Sequence, residues 1–83
     1  MRADIEALHF TVPQKDIYYI SWIIDAAEGI GFLQTDDPKS GSITIFSPEE
    51  QKKHIYALVS ALRAEGIEIV ENHGTETGQG DND

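Results

Sequence analysis

Two adjacent carboxylates, Asp36 and Asp37, sit in the run QTDDPKSGS (residues 34–42), with a proline, a lysine and a glycine close behind. Acids beside Lys39 and Gly41 are the raw material of a cation or phosphate site. A calcium loop of the EF-hand kind needs oxygen ligands at alternate positions over about 12 residues and a closing glutamate. Here the acids are adjacent, and no glutamate follows before Ser47. A phosphate cradle needs a glycine-rich run leading into Lys-Ser/Thr, and that is missing too. The run reads as a turn, with Asp37 before Pro38, then Lys39 and Ser40, and Gly41 in the left-handed conformation. On that reading Asp36 and Lys39 stand exposed at a loop tip, where they could contact a partner. Alanine at both positions is then expected to leave folding intact.

The histidines are the next candidates. His9, His54 and His73 show no ligand spacing of the H-x₃₋₅-H kind, and no metal site is assigned to them. His9 is the most interesting, because an imidazole near Thr11, Thr44 and Glu68 could meet a small polar ligand. Phe46 is expected on the same sheet face as His9. RNA-recognition domains stack bases on aromatics at the two corresponding strands. The segment KSGSITIF (residues 39–46) lacks their basic-Gly-aromatic pattern, however. Tyr18 and Trp22 lie four residues apart, which places them together on one flank of a helix. Either they fold over the sheet edge or shield the second helix, or they anchor a protein contact, as Trp and Tyr often do.

These side chains must be positioned by elements that hydrophobic periodicity makes visible. Residues 8–12 (LHFTV) alternate, with Leu8, Phe10 and Val12 on one side and His9 and Thr11 on the other. Pro13 ends that strand. From residue 15 to 28 the period becomes helical, with Ile17, Ile20, Ile24 and Ala27 on one face, Asp16 in the first turn and Gly29 beyond the end. Residues 30–35 form a second strand weakened by Gly31, and residues 42–46 a third, with Ile43 and Ile45 opposed to Thr44 and Phe46. SPEE then predicts a capped helix start: Ser47 as cap, Pro48 at the first position and Glu50 completing a capping box. That helix runs to about Glu65 and buries Ile55, Leu58, Val59 and Leu62 before Gly66. Residues 67–71 (IEIVE) are the last strand.

The order β-α-β-β-α-β predicts an α+β, ferredoxin-like fold: a four-stranded antiparallel sheet with two helices on one face and the other face open. Residues 1–71 form this single domain. Residues 72–83 lack a hydrophobic anchor and are expected to be a disordered acidic tail. Acylphosphatases share the topology, but their glycine-rich loop with an anion-binding arginine is absent after the first strand, where Val12-Pro13-Gln14-Lys15 stands. No Ser-His-Asp order or paired Glu/Asp site stands out either. An enzyme is therefore not expected, and no cofactor is assigned.

Composition narrows the partners. The 83 residues carry fifteen acids against six bases, a net charge of −9. Nucleic acid and anionic membrane surfaces attract Lys and Arg, so both are excluded as expected partners. No segment approaches the roughly 20 apolar residues of a membrane span, and the N-terminus lacks the pattern of a signal peptide. With no cysteine in the chain, thiolate chemistry is excluded and a cytoplasmic location is expected.

The run from Asp16 through Glu28-Gly29 to Thr35-Asp36-Asp37-Pro38, closing at Gly41, resembles a small bacterial family known as domain of unknown function 4911. Its members read as an opening strand, an Ile-rich helix ending in Glu-Gly, a Thr-x-Asp-Pro hairpin and a Leu-rich second helix. The likeness covers about residues 8 to 70 and implies no activity, substrate or catalytic residue. A looser similarity to ACT-type domains, which sense amino acids, rests on element order alone. The expected function is a small non-catalytic binding or protein-interaction module that self-associates as a homodimer. The alternative is an ACT-like sensor of an amino acid or nucleotide. The candidate interaction residues are Tyr18, Trp22, Phe46 and His9.

Overall fold

The computed structural model describes residues 4–27 and 29–72. In chain order it contains β1 (Ile5–Thr11), a 3-10 turn (Gln14–Asp16), α1 (Ile17–Ala26), β2 (Phe32–Asp37) and β3 (Ser42–Pro48). A second 3-10 turn (Glu49–Gln51), α2 (Lys52–Ala64) and β4 (Val70–Asn72) follow. The four strands form one antiparallel sheet in the order β2-β3-β1-β4. This is the α+β arrangement that the element order predicts.

Side-chain alternation decides which face is buried. Leu8 pairs with Ile45 and Phe10 with Ile43 across the two central strands. These four pack with Ile20 and Ile24 of α1 and Ile55, Val59 and Leu62 of α2 into one core that also holds Val12 and Ile69. The helices thus cover the face that Leu8, Phe10, Ile43 and Ile45 share. Odd-numbered residues of β1 and even-numbered residues of β3 turn the other way.

Several boundaries differ from expectation, each for a local reason. The capping box does not form. Ser47 lies in β3 on the core side, fully buried, and its Oγ donates to the Ile30 carbonyl at 2.6 Å. Its hydroxyl ties β3 to the segment that enters β2, and no side chain caps the turn that starts at Glu49. The last strand is also shorter and later than residues 67–71. Arg63 Nε donates to the Ile69 carbonyl at 3.0 Å, so Ile69 is held by α2 and regular pairing begins only at Val70. Asn72 pairs with His9 and so belongs to the sheet, not to a tail. Residues 73–83, where the rest of that tail was expected, lie outside the described residues.

Tyr56 on α2 helps to hold β4. Its hydroxyl donates to the Glu71 carboxylate. Burial, then that bond, pushes the phenol up to about 12, so it remains a donor throughout the neutral range. β2 also runs later than expected, from Phe32 to Asp37 in place of residues 30–35. Its register skips between Thr35 and Asp37, a bulge that takes up Asp36. α1 is preceded by the turn Gln14–Asp16 and ends at Ala26, with Gly29 in the left-handed conformation beyond it. In α2, Leu58 is half-buried, whereas Ile55, Val59 and Leu62 are fully buried.

Candidate functional site: the open face of the sheet

The registers lay out the uncovered face in rows. One row runs Phe32, Phe46, Ala7 across β2, β3 and β1. The next runs Gln34, Thr44, His9, Asn72 across all four strands. A third holds Asp37, Ser42, Thr11 and Val70, and Pro48 pairs with Ile5 at the opposite end. The face is therefore divided, with Phe32, Phe46, Ala7, Pro48 and Ile5 at one end and amide, hydroxyl and imidazole groups in the middle.

The apolar end is open to solvent. Phe32 and Phe46 stack, with ring centroids 5.1 Å apart and planes 25° from parallel, an offset geometry that aromatic pairs favour. Phe32 nevertheless keeps 58% of its surface exposed, and Ile5 is also exposed. Phe32 was not singled out from the sequence, because a strand spoiled by Gly31 hides its alternation with Gln34.

The polar middle is a continuous chain of hydrogen bonds. Thr44 Oγ1 donates to Asp36 Oδ2 at 2.5 Å, and Gln34 Nε2 donates to Asp36 Oδ1 at 2.7 Å. His9 Nδ1 lies 2.9 Å from Thr44 Oγ1. A threonine hydroxyl has one proton, and a carboxylate can only accept it. Thr44 must then accept from His9, which places the imidazole proton on Nδ1 and leaves Nε2 outside the chain of bonds. The Thr44 bond, then the Gln34 bond and the field of His9, hold the Asp36 carboxyl below its usual range. Alongside, Asn72 Nδ2 donates to Thr11 Oγ1 at 2.8 Å.

Asp36 is thus not a free group at a loop tip. It sits in β2 and anchors this chain, so removing it would leave the hydroxyl of Thr44, itself only 2% exposed, without its acceptor. The turn reading survives beyond it: Asp37 Oδ1 accepts from the Lys39 amide at 3.2 Å, and the Gly41 amide donates to the Pro38 carbonyl at 3.3 Å. Lys39 is exposed. Glu68, grouped with His9 in the sequence reading, instead lines a groove with Thr11, Val12, Pro13 and Val70.

The four candidate residues do not form one site. His9 and Phe46 share the open face, in adjacent rows. Tyr18 and Trp22 belong to the other layer. At about 100° per residue they project away from the buried Ile20 and Ile24, and they are 91% and 67% exposed. They neither fold over the sheet nor shield α2. The side of α1 toward α2 is held instead by Tyr19, whose hydroxyl donates to Glu65 Oε1 at 3.0 Å. Tyr18 also borders an open groove of about 270 Å³ with Gln14, Ile17, Thr35 and Pro38, beside the hairpin.

Among the described residues, no group of three or more His, Cys, Asp or Glu side chains could hold a metal ion, and no helix is long and apolar enough to cross a membrane. No curated protein matches the chain, and no solved structure does. The family model described as Domain of unknown function (DUF4911) matches residues 10–65, from the last residues of β1 through the end of α2. The matched segment carries Phe32, Asp36, Thr44, Phe46, Tyr18 and Trp22, and the chain belongs to that family.

Proposed function

We propose that this protein is a small non-catalytic interaction module that works by self-association through the open face of its sheet. The observation that carries this reading is the Phe32–Phe46 stack, left more than half exposed at Phe32 on a face with few charges. Among the described strand residues at open-face positions, the only acids are Asp36 and Asp37, in a chain that has fifteen. Depletion of charge around aromatic side chains is the compositional mark of an interface core. A second copy offers the same sparsely charged aromatic patch, whereas the chain as a whole, at a net charge of −9, is self-repelling. A non-catalytic role is supported by Thr44, whose hydroxyl is buried and engaged on both sides, and by the bond that occupies Asp36. Multi-angle light scattering at tens of micromolar is expected to show a monomer–dimer equilibrium. Phe46→Ser should shift it to monomer while the far-ultraviolet circular dichroism stays unchanged. A wild-type protein that is strictly monomeric at every concentration would sink the proposal.

A second reading is favoured by the His9–Thr44–Asp36 chain, which holds the imidazole by Nδ1 and leaves Nε2 outside the chain of bonds, beside an exposed aromatic. That arrangement suits a small ligand bearing a polar group and a flat apolar part. A thermal-shift screen of amino acids and nucleotides tests it. A stabilising compound whose effect disappears in His9→Ala supports the sensor reading, and no shift from any compound counts against it.

A further inference from the structure

The rows of the open face constrain how two copies can meet. Two identical sheets packed face to face about a two-fold axis have that axis in the plane between them. If it runs across the strands, the Phe32–Phe46–Ala7 row of one copy faces the Ser42–Thr11–Val70 row of the other, and aromatic rings oppose hydroxyls. If it runs along the strands, midway between β1 and β3, every row faces its own counterpart. We propose this second arrangement, which rests on the self-association reading and specifies its geometry. The dimer axis runs parallel to the central strands, Phe46 of each copy stands over Ala7 of the other, and Gln34 of each faces Asn72 of the other.

Three features favour it. Ala7 and Phe46 are directly paired within one sheet, so the axis between their strands sets each over the other's copy. A large side chain then meets a small one twice, which lets two layers interdigitate. In the polar row, Gln34 Nε2 donates one hydrogen bond to Asp36 and Asn72 Nδ2 donates one to Thr11. Each carboxamide carries two N–H groups, so a donor remains on both sides of the pair for the other's carbonyl oxygen. The third feature is area. Four strands about 4.8 Å apart and rows about 6.8 Å apart give roughly 400 to 500 Å² of flat surface per copy. Two copies would bury about 1,000 Å², which suits a reversible dimer of micromolar affinity rather than an obligate one.

Because the chain contains no cysteine, single-cysteine variants can report the geometry. In the proposed dimer, position 34 of one copy lies about 10 Å from position 72 of the other across the sheet–sheet gap, but about 17 Å from its own counterpart. Gln34→Cys and Asn72→Cys are purified separately, mixed at tens of micromolar and treated with a short bis-maleimide. Each heterodimer keeps one unaltered Gln34–Asn72 contact. Cross-linked dimer is expected in the mixture, with several-fold less in either variant alone. Equal or stronger cross-linking of Gln34→Cys to itself would overturn the arrangement, since it indicates an axis across the strands or pairing of β2 edges. No cross-linking in a protein that scatters as a dimer would also overturn it, by placing the contact on another surface. No cross-linking in a protein that scatters as a monomer would instead remove the self-association reading beneath it.

Discussion

Gly41 stands where the β2–β3 hairpin turns back against the end of β1. Its φ is +77°, and the Val12 amide donates to its carbonyl at 2.9 Å. A Cβ added there would lie 1.7 Å from the Val12 carbonyl oxygen. Two independent penalties therefore fall on any larger residue, one from the left-handed backbone and one from backbone against backbone. Gly41→Val is expected to cost on the order of 3 kcal/mol or more, a large share of what a domain of this size has to lose. Lys39→Ala, two residues away and exposed, should change stability by less than about 0.5 kcal/mol. Urea denaturation of both variants checks this, and a Gly41→Val protein with a wild-type midpoint would contradict the close approach. Asp36 falls between these extremes, because its neighbours in sequence mark it as turn material whereas its bonds make it part of the sheet.

At the scale of elements, what could be read from the sequence divides by whether a signal is local. Alternation over residues 8–12 and 42–46 assigns faces correctly, because core-side and open-side residues differ in polarity at every step of those central strands except Phe46, which is apolar on the open side. The helices are legible for the same reason: Ile20, Ile24, Ile55, Val59 and Leu62 fall on helical spacing and form the core with β1 and β3. Edges are harder to read. β2 begins after Gly31, where an added Cβ would lie 2.4 Å from the Phe46 carbonyl oxygen. The glycine therefore marks a close approach between chains of the sheet, not only a weak strand. Ser47-Pro48-Glu49-Glu50 carries every mark of a capped helix start, yet the Ser47 hydroxyl finds the Ile30 carbonyl, seventeen residues away in sequence. A motif that could be satisfied locally cannot announce that a distant carbonyl will draw the same hydroxyl away from the helix start. The open-face chain has the same origin, since Asp36, Thr44 and His9 meet only after three strands have paired. Phe46 and His9 could be placed on that face from alternation, but Phe32, which stacks on Phe46, and Asp36, which bonds Thr44, depend on the register and bulge of β2.

The whole molecule carries a net charge of −9, and this sets how any partner must behave with salt. Two such chains repel one another at long range, so their association depends on apolar contact over a face that is nearly free of charge. The Debye length falls from about 30 Å at 0.01 M salt to about 8 Å at 0.15 M. Over that interval the repulsion between two chains of net charge −9 is largely screened, while burial of Phe32 and Phe46 is little affected. Self-association is therefore expected to tighten several-fold between low salt and 0.15 M, read as the dimer fraction by sedimentation velocity at fixed protein concentration. A basic partner recognised through the acidic surface would behave in the opposite sense, because salt weakens attraction between unlike charges. A dimer fraction that falls as salt is added would mean that the two copies are held by ion pairs. Among the described residues, ion pairs occur at Lys15–Asp16 and Lys52–Glu6, and neither involves a residue at an open-face position. That outcome would move the contact away from the sheet and onto the charged surface, whereas tightening with salt keeps it on the aromatic end of the open face.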